Sequence, residues 1–424
     1  MPDTSPFPPH TGILLLNLGT PDSPTPSAVG RYLKEFLMDK YVLDNAFFYR
    51  LFLVYCLIVP KRKKTSAEAY AKIWNERGSP LLSYSQDLAE KVASLLPEIP
   101  VSLAMRYGRP SLEDGIQELV QAGVKHVVLF PLYPQYAESS TRTSVEKCES
   151  IIKKQFPHLQ LSSLPAFYDS KYYIDAVTEV SKPSFSEQYD RVLFSYHGLP
   201  ERQLTKLDAT KKYCLKDSSC CESINEKNRN CYRAHCYSLT RSLVKTLGIP
   251  EGKYSVAFQS RLGKTPWIKP YTDKVILQLA AEKKKRVLVM CPSFVADCLE
   301  TLEEIAMAGK ENFEAHGGGE LVLVPSLNAE DVWAKAVVSI VSEKIKKNTE
   351  SFQEGECVKF SLPQEISAEE KNELEGKIGI IDGYHTINNV VHYSVLVDHF
   401  PQEKKGTYFL LPEHYLQKHT ETKH

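Results

Sequence analysis

VSLAMRYGRP at residues 101–110 and VKHVVLFPLYP at residues 124–134 are two apolar runs that end in polar residues, Gly or Pro, with a helix-like stretch between them. The same arrangement returns as YSVAFQSRLG at 254–263 and KKRVLVMCPSF at 284–294. Short apolar runs that alternate with helices are typical of buried parallel strands in α/β folds. The recurrence therefore predicts a duplication, with two similar doubly wound, Rossmann-like halves that face one another.

One further strand is predicted at the start of each half. GILLLNL at 12–18 and RVLFSY at 191–196 are the runs concerned, and we assign residues 11–165 to the first half and 166–347 to the second. Ligands of doubly wound sheets bind beyond the carboxyl ends of the strands. The polar residues directly after each apolar run are therefore the candidates for a functional site.

The composition argues against several classes of function. The 424 residues are 42% hydrophobic, which is enough to form more than one sizeable core without disulfides. Lys plus Arg and Asp plus Glu both total 52, so no net charge attracts nucleic acid. Neither GxGxxG nor GxxxxGKS/T occurs, which argues against a nucleotide cofactor. Residues 1–10 lack a signal-peptide pattern and are expected to be disordered, so we predict a cytoplasmic protein, monomeric or homodimeric.

Residues 42–64 contain an apolar stretch, FFYRLFLVYCLIVP at 47–60, that is followed directly by the basic run KRKK at 61–64. The stretch is too short to span a bilayer, and it includes Arg50. Two interpretations stay open: a buried helix followed by a solvated charge run, or a lip that contacts a membrane surface or an apolar ligand. In the second interpretation the basic run meets lipid phosphates, and the protein associates peripherally with the inner membrane.

The composition changes after a helix-like stretch at 329–347. Residues 348–364 are predicted to form a linker, and residues 365–424 a small β-rich, SH3-like appendage. Within the appendage the sequence predicts a capping box at Ser367 to Glu370, a helix stop at Gly376, and strands at 377–381, 390–397 and 407–411.

A histidine and a row of acids follow two of the predicted strands. His197 stands directly after RVLFSY, where Gly198 permits a tight turn, and this position suits a general base. Asp297, Glu300 and Glu304 follow RVLVMC in a predicted helix, and their spacing places them on one face. Each pattern alone also fits a hydrogen-bonded structural histidine or a solvated helix face. Together they predict proton removal and transient handling of a divalent metal such as ferrous iron, chiefly by His197 and Glu300.

Aromatic, amide and basic side chains follow the other strands. Aromatic faces can pack against a flat ligand, and arginines bind carboxylates through paired hydrogen bonds. Ordinary packing at strand ends is the alternative. The candidates for substrate binding are Arg106, Tyr107, Tyr133, Tyr136, Gln259, Ser260, Arg261 and Trp267.

Seven motifs resemble, in the same order, those of the ferrochelatase family in its proteobacterial form. They are LLNLGTPD from Leu15, KIWNERGSPL from Lys72, AMRYGRPS from Ala104, LYPQY from Leu132, SYHGLPER from Ser195, FQSRLGKTPW from Phe258 and CPSFVADCLETLEEI from Cys291. The resemblance covers residues 11–345. It implies two similar α/β halves that enclose a porphyrin cleft, in an enzyme that inserts ferrous iron into the ring.

The resemblance also implies roles for individual residues. His197 matches the catalytic histidine of the family, Glu300 its essential acid, and Asp297 and Glu304 the acidic path that leads away from the metal site. The lip at 42–64 falls where the family has its membrane-facing lip. The positions that match the lining of the cleft are Leu18, Arg106, Tyr107 and Tyr133.

Insertion of ferrous iron into protoporphyrin IX, the last step of haem synthesis, is the first hypothesis for function. Insertion into coproporphyrin III is a close rival, and a non-catalytic porphyrin or haem carrier and a cobalt or nickel chelatase are others. The family is thought to bind the ring bent, so that binding energy exposes the pyrrole nitrogens. His197 would then accept or relay a proton, while the acids remove protons or strip water from iron.

Five of the ten cysteines lie in KKYCLKDSSCCESINEKNRNCYRAHCY at 211–237, within a Cys-rich insertion at 205–237 that compact ferrochelatases lack. So many thiols in a polar segment predict a bound metal rather than disulfides. The spacing lacks paired CxxC knuckles, so zinc is the alternative and not the first choice. Some bacterial ferrochelatases resemble this chain in carrying a [2Fe-2S] cluster on an internal Cys-rich segment, which implies four thiolate ligands. The candidates are Cys214, Cys231 and Cys236 with either Cys220 or Cys221, and His235 is a weak substitute.

Overall fold

The computed structural model describes residues 7–263 and 265–350, together with five strands between residues 357 and 418. The chain divides into two compact units. One unit is Pro8–Val341, and the other combines Met1–Phe7 with Ser342–His424. Both of the predicted halves lie in the first unit, apart from residues 342–347.

The first half is built on a four-stranded parallel sheet with the order β2-β1-β3-β4. Its central strand is buried along nearly its whole length, because helices cover both faces of the sheet. Leu14 and Leu16 of that strand pack with Ile116 and Ile151 in one core cluster. The strands are β1 (Thr11–Thr20), β2 (Val101–Gly108), β3 (His126–Pro131) and β4 (Gln160–Ser163).

The helices of the first half connect and cover these strands. Polar caps begin two of them: Thr25 accepts a hydrogen bond from the backbone of Ala28, and Ser111 forms a capping box with Asp114. The helices are α1 (Pro26–Leu37), α2 (Phe47–Phe52), α3 (Val59–Ile73), α4 (Pro80–Leu95), α5 (Leu112–Gln121) and α6 (Thr143–Gln155).

The second half repeats the topology of the first. Its four strands are parallel in the order β6-β5-β7-β8, which is the order of the first sheet with each strand advanced by four. The strands are β5 (Arg191–His197), β6 (Tyr254–Gln259), β7 (Arg286–Met290) and β8 (Glu320–Leu323). The helices are α7 (Lys171–Ser181), α8 (Glu201–Thr205), α9 (Tyr232–Leu247), α10 (Thr272–Ala281), α11 (Leu299–Thr301), α12 (Lys310–Ala315) and α13 (Asp331–Glu350). The predicted α/β class with two similar halves is therefore confirmed.

Five short helical segments have other geometries. Two are 3₁₀ turns at Lys182–Phe185 and Ser218–Cys221. Three are π-helical: Leu53–Ile58 joins α2 to α3, Glu138–Arg142 precedes α6, and Leu302–Gly309 joins α11 to α12. Residues from Phe47 to Ile73 thus form one continuous helical rod.

The C-terminal unit contains a five-stranded antiparallel sheet with the order β12-β11-β10-β9-β13. Part of the linker predicted at 348–364 is instead regular structure. α13 continues to Glu350, and β9 pairs with β10 and β13. The predicted capping box at Ser367 and helix stop at Gly376 lie outside the described residues. The strands are β9 (Cys357–Phe360), β10 (Ile378–Ile387), β11 (Val390–Val397), β12 (Thr407–Pro412) and β13 (Leu416–Lys418).

The N-terminal residues differ in part from the disorder predicted for residues 1–10. Residues 1–6 lie outside the described part, but Phe7 is buried. The carbonyl of His10 accepts backbone hydrogen bonds from Lys125 and His126, which fixes the entry into β1. In the part of the chain that the structure describes, every helix is too short or too polar to cross a bilayer.

Candidate active site

The carboxyl ends of β1, β3, β5 and β6 border a single cavity of about 1110 Å³. A volume of this size is at the upper end of what small-molecule sites offer. Residues of both halves contribute to its wall, as the duplication predicts. The predicted site residues that line it are Leu18, Tyr133, His197, Gln259, Ser260, Arg261, Trp267, Glu300 and Glu304.

His197 is the last residue of β5 and lies opposite Gln259 of β6 in the strand register. Its Nδ1 is 2.6 Å from the carbonyl oxygen of Gly198, which can only accept, so Nδ1 carries the proton. In a neutral imidazole Nε2 is then the acceptor. The turn requires glycine at 198, because a Cβ there would lie 2.7 Å from the Gln259 carbonyl oxygen. The geometry therefore presents His197 as a base.

Glu304 lies in the third π-helical segment and is held by the residues that follow β6. The backbone N–H of Ser260 donates to its Oε1 at 2.9 Å, and the Ser260 hydroxyl donates to its Oε2 at 2.5 Å. Ser260 adopts a left-handed backbone with φ 67°, a conformation that is uncommon for residues other than glycine. Burial raises the pKa of the Glu304 carboxyl, with Glu300 adding to the rise and His197 opposing it.

Glu300 lies in α11 and is held through its backbone and its side chain. The Gln259 amide donates to the Glu300 carbonyl oxygen at 2.8 Å, while the Gln259 oxygen accepts from the Ser195 hydroxyl. The thiol of Cys298 contacts the Glu300 carboxylate, and burial raises the pKa of that thiol, with Glu300 as the next cause. Gln259 is predicted to bind substrate, but both polar atoms of its side chain form hydrogen bonds within the protein.

Asp297 does not join the row of acids that the sequence predicts. The residue precedes α11 instead of lying on it, because the chain after β7 makes a turn before the helix begins at Leu299. Its carboxylate accepts from the Thr301 hydroxyl and from the Asn328 amide, both at 2.9 Å. Asp297 is buried and does not line the cavity. The prediction that it shares a helix face with Glu300 and Glu304 is wrong.

Arg106 and Tyr107 are likewise absent from the cavity wall. The Arg106 guanidinium donates to Asp39 at 2.5 Å and to Thr143 at 2.8 Å, and the Tyr107 hydroxyl donates to Asp39 at 3.0 Å. Asp39 thus pairs with the largely buried guanidinium, and neither Arg106 nor Tyr107 lines the cavity, so substrate binding by these two residues stays a prediction. Tyr136 is absent from the wall as well, and its backbone N–H donates to His235.

Sequence comparisons show which family the chain resembles. The family described as Ferrochelatase matches residues 10–345. The chain is 48% identical over 326 residues to Ferrochelatase of Pseudomonas fluorescens (strain SBW25), which is 77% of this chain and 95% of that protein. It is 45% identical over 338 residues to Ferrochelatase of Legionella pneumophila (strain Paris), which is 79% of this chain and 99% of that protein. The chain belongs to the ferrochelatase family.

Solved structures include a chain described as SirB from Bacillus subtilis with Fe3+, which is 12% identical at a TM-score of 0.45. That match covers 80% of this chain and 97% of that chain. A second, described as CbiX, is 9% identical at a TM-score of 0.42, covering 78% of this chain and 98% of that chain.

The ferrochelatase cavity also contains residues that sequence reasoning missed. Glu303 lies directly before Glu304 in the chain. Its carboxylate accepts a hydrogen bond from Lys72 of α3 at 2.8 Å. Tyr32 and Tyr70 lie in the wall, where burial raises the pKa of both hydroxyls and Glu300 adds to the rise. Both tyrosines belong to helices of the first half, and no strand end marked them in the sequence.

Four thiols of the Cys-rich insertion contact one another in pairs. Cys214 contacts Cys231, Cys231 contacts Cys221, and the sulfurs of Cys221 and Cys220 are 3.7 Å apart. The guanidinium of Arg233 donates to Cys221 at 3.4 Å. Among residues 7–263 and 265–350, no three His, Cys, Asp or Glu side chains surround a common centre suited to a metal ion.

Cys236 and His235 do not belong to this thiol group. Cys236 is fully buried and its thiol contacts Tyr232, in a core region where burial raises the thiol pKa. His235 uses both ring nitrogens, since Nδ1 accepts from the Tyr136 backbone at 3.2 Å and Nε2 donates to the Arg229 carbonyl at 2.6 Å. Neither residue therefore shares the thiol–thiol contacts that join Cys214, Cys220, Cys221 and Cys231, although the predicted ligand set includes Cys236.

The helical rod from Phe47 to Ile73 carries the predicted lip of the ferrochelatase cavity. Its outer residues are not buried, so the interpretation as a core helix is wrong: Phe48 is 81% exposed and Tyr49 is 56% exposed. Leu53, Ile58 and Arg62 of the same rod line the cavity. Other large apolar side chains exposed on the rod are Phe47, Leu51, Phe52, Tyr55 and Leu57.

Proposed function

We propose that the chain inserts ferrous iron into protoporphyrin IX, which forms protohaem and releases two protons. The observation that carries the proposal is the placement of His197, Glu300 and Glu304 around one cavity between two α/β halves. The cavity also offers apolar and aromatic surface, with Leu18, Tyr133 and Trp267 in its wall, against which a flat macrocycle can pack.

The chemistry that metallation needs is proton removal from two pyrrole N–H groups while iron loses its water. His197 supplies the basic nitrogen, because Gly198 holds the proton on Nδ1 and leaves Nε2 as the acceptor. Glu304 has a raised pKa, which suits a carboxyl that takes up a proton and passes it on. Glu300, which interacts with Glu304 and lines the same cavity as His197, provides an oxygen ligand for iron as the substrate arrives.

The test is anaerobic incubation with ferrous iron and protoporphyrin, followed by absorbance. We expect His197→Ala and Glu300→Gln each to lower turnover by at least about 100-fold while porphyrin affinity, measured by fluorescence, changes little. His316→Ala is the matched control, because His316 is exposed at the end of α12 and does not line the cavity. Parental turnover in His197→Ala would contradict the proposal.

Two rival functions are outcomes of the same assay. Faster turnover of coproporphyrin III than of protoporphyrin IX would replace the substrate but keep the residues. Tight porphyrin binding without any metallation by the parental chain would indicate a porphyrin or haem carrier.

We further propose that Cys214, Cys220, Cys221 and Cys231 hold a [2Fe-2S] cluster. The pairwise contacts among these thiols and the guanidinium of Arg233 support this set, because four thiolates, two sulfides and two ferric ions together carry a net negative charge that an arginine offsets. When bound, the cluster would supply a redox-active iron centre at the start of α9. Zinc is the alternative occupant.

Iron, acid-labile sulfide and visible absorbance of the purified protein test this assignment. We expect a brown protein that loses its colour in Cys231→Ser. Cys236→Ala is the matched control, and it should keep the cluster even if it lowers stability. A colourless protein with one equivalent of zinc would reverse the choice of metal, and loss of colour in Cys236→Ala alone would reverse the choice of ligands.

We also propose that the lip contacts anionic membrane surfaces at the inner face of the cell membrane. The exposed aromatic residues of α2 and the basic run at 61–64 on the same rod support this, since aromatic side chains suit the interface and basic ones the lipid phosphates. Sedimentation with phosphatidylserine vesicles should show binding that falls with salt and falls further in Phe48→Glu. Equal sedimentation with and without anionic lipid would refute the proposal.

A further inference from the structure

Asp297 is the centre of a buried hydrogen-bond network beside the cavity. Its Oδ1 accepts from the Thr301 hydroxyl, and its Oδ2 accepts from the side-chain amide of Asn328. Thr301 is fully buried, and its hydroxyl oxygen accepts from the backbone N–H of Cys298 at 3.0 Å. The network thus fixes the turn from which α11 begins.

Asn328 reaches this turn from a loop that follows β8. Its side-chain oxygen accepts from the backbone N–H of Asp297 at 2.8 Å, so the two residues bond each other reciprocally. The backbone N–H of Asn328 also donates to the Val295 carbonyl at 2.8 Å. Asn328 has a left-handed φ of 49°, which asparagine tolerates better than most residues. Three hydrogen bonds from one distant residue therefore hold the turn at residues 295–297.

Glu300 is the functional group that this network supports. Cys298 lies between the network and Glu300, with its backbone bonded to Thr301 and its thiol in contact with the Glu300 carboxylate. On the other side, the Gln259 amide holds the Glu300 carbonyl at 2.8 Å. The first turn of α11 is thus clamped from two directions, and the orientation of the carboxylate depends on both clamps.

We propose that Asp297 and Asn328 are positioning residues that aim the Glu300 carboxylate into the cavity, and that Asp297 is not a step in a proton or metal path. The inference rests on the role proposed above for Glu300. Its support is geometric: both Asp297 oxygens are occupied by protein donors, and the residue is buried away from the cavity wall. A relay group would need an oxygen that faces substrate or a neighbouring acid.

Asp297→Asn separates the two roles, because an amide can keep both hydrogen bonds. Its oxygen would accept from Asn328, and its NH₂ would donate to the Thr301 hydroxyl, whose proton can turn to the Cys298 carbonyl 3.3 Å away. We expect Asp297→Asn to stay within about threefold of parental kcat, with an unchanged pH profile. Asp297→Ala and Asn328→Ala should lose about 10- to 100-fold in kcat.

Further measurements make the outcome specific to positioning. Porphyrin affinity should change little in all three variants, since Asp297 and Asn328 do not themselves line the cavity. Asn312→Ala is the matched control, because Asn312 is an exposed asparagine that donates only to the Ala308 carbonyl. Asn328→Asp should lower kcat as much as Asn328→Ala, because it places a second carboxylate against that of Asp297. If Asp297→Ala fails to fold, the two Asn328 variants carry the test.

The inference is overturned if Asp297→Asn loses as much turnover as Asp297→Ala, which is the behaviour of a proton carrier, or if Asn328→Ala turns over at the parental rate. Failure of the proposed function looks different. In that case Glu300→Gln itself would metallate porphyrin at the parental rate, whatever the Asp297 variants do.

Discussion

His235 is a neutral imidazole locked between two segments that are distant in sequence. Its ring stacks on Tyr168 with centroids 3.9 Å apart, and its nitrogens bond the backbones of Tyr136 and Arg229. Burial lowers the pKa of the ring to about 4, although the bond to Arg229 opposes the shift. Because an unfolded histidine titrates near pH 6.5, the folded and unfolded states bind different numbers of protons between these two values.

We predict that His235 makes the protein less stable in mild acid. The folded pKa is depressed, so the stability is fully present above about pH 6.5 and is lost as the pH falls to about 4, by about 2–3 kcal/mol. His235→Asn keeps an acceptor for Tyr136 and should flatten this part of the curve. Urea denaturation at several pH values measures the effect, with His316→Asn as an exposed control. Parallel curves for parental protein and His235→Asn would contradict the prediction.

The sequence predicts single residues well where a strand end delivers them to the site. His197 follows directly after an apolar run, and Glu300 and Glu304 keep a spacing that survives the change from α to π geometry. The placement of Arg106 could not be predicted, because its partner Asp39 lies in a turn 67 residues earlier and carries no pattern of its own. The prediction for Asp297 was wrong for a similar reason, because its hydrogen-bond partner Asn328 lies 31 residues away in the sequence.

At the scale of the element, the end of β1 shows how closely this central strand approaches its neighbour β2. Gly19 has φ +112°, and a Cβ built there would lie 1.8 Å from the Tyr107 carbonyl oxygen of β2. Gly123, after α5, also has a positive φ of +80° but has nothing within 4 Å of the added carbon. Both glycines therefore have a backbone conformation that disfavours other residues, but only at Gly19 would an added Cβ also clash with a neighbouring strand.

We predict that Gly19→Ala costs at least about 3 kcal/mol of unfolding free energy or prevents folding, because two parallel strands must separate. Gly123→Ala should cost only about 1 kcal/mol, the expense of a left-handed alanine. Chemical denaturation of both variants makes the comparison. Equal losses would mean that backbone conformation, and not the contact with Tyr107, determines the effect.

The elements differ in how clearly the sequence announces them. The long strands are continuous apolar runs because helices cover both faces of their sheets, so six of the eight were predictable. The edge strands β4 and β8 have four residues each, with mixed burial, and leave no such run. The three π-helical segments were also missed. The apolar residues in these segments already repeat irregularly, so the extra residue in each turn leaves no visible change in the pattern.

At the scale of the whole molecule, the site and the C-terminal sheet belong to separate units. Every residue of the cavity wall lies between Asn17 and Glu304, inside the unit Pro8–Val341. The Legionella relative is covered over 99% of its length by 79% of this chain. The unit that contains the cavity is thus comparable in extent to a complete relative.

We predict that a chain ending at Glu350 keeps iron insertion within about threefold of the full chain, because both sheets and the cavity wall are retained. The comparison uses kcat and KM for porphyrin and for ferrous iron, with thermal unfolding as the check on folding. A folded but inactive truncated chain would show that the C-terminal unit contributes to the reaction.

The rod from Phe47 to Ile73 reaches from the outside of the protein to the acids. It is about 40 Å long at the rise of a helix, with exposed aromatic residues at one end and Lys72 near the other. Lys72 bonds Glu303, the neighbour of Glu304. A single helical element therefore joins the exposed aromatic surface to the acidic segment, and the Lys72–Glu303 ion pair is the contact through which a change at one would reach the other.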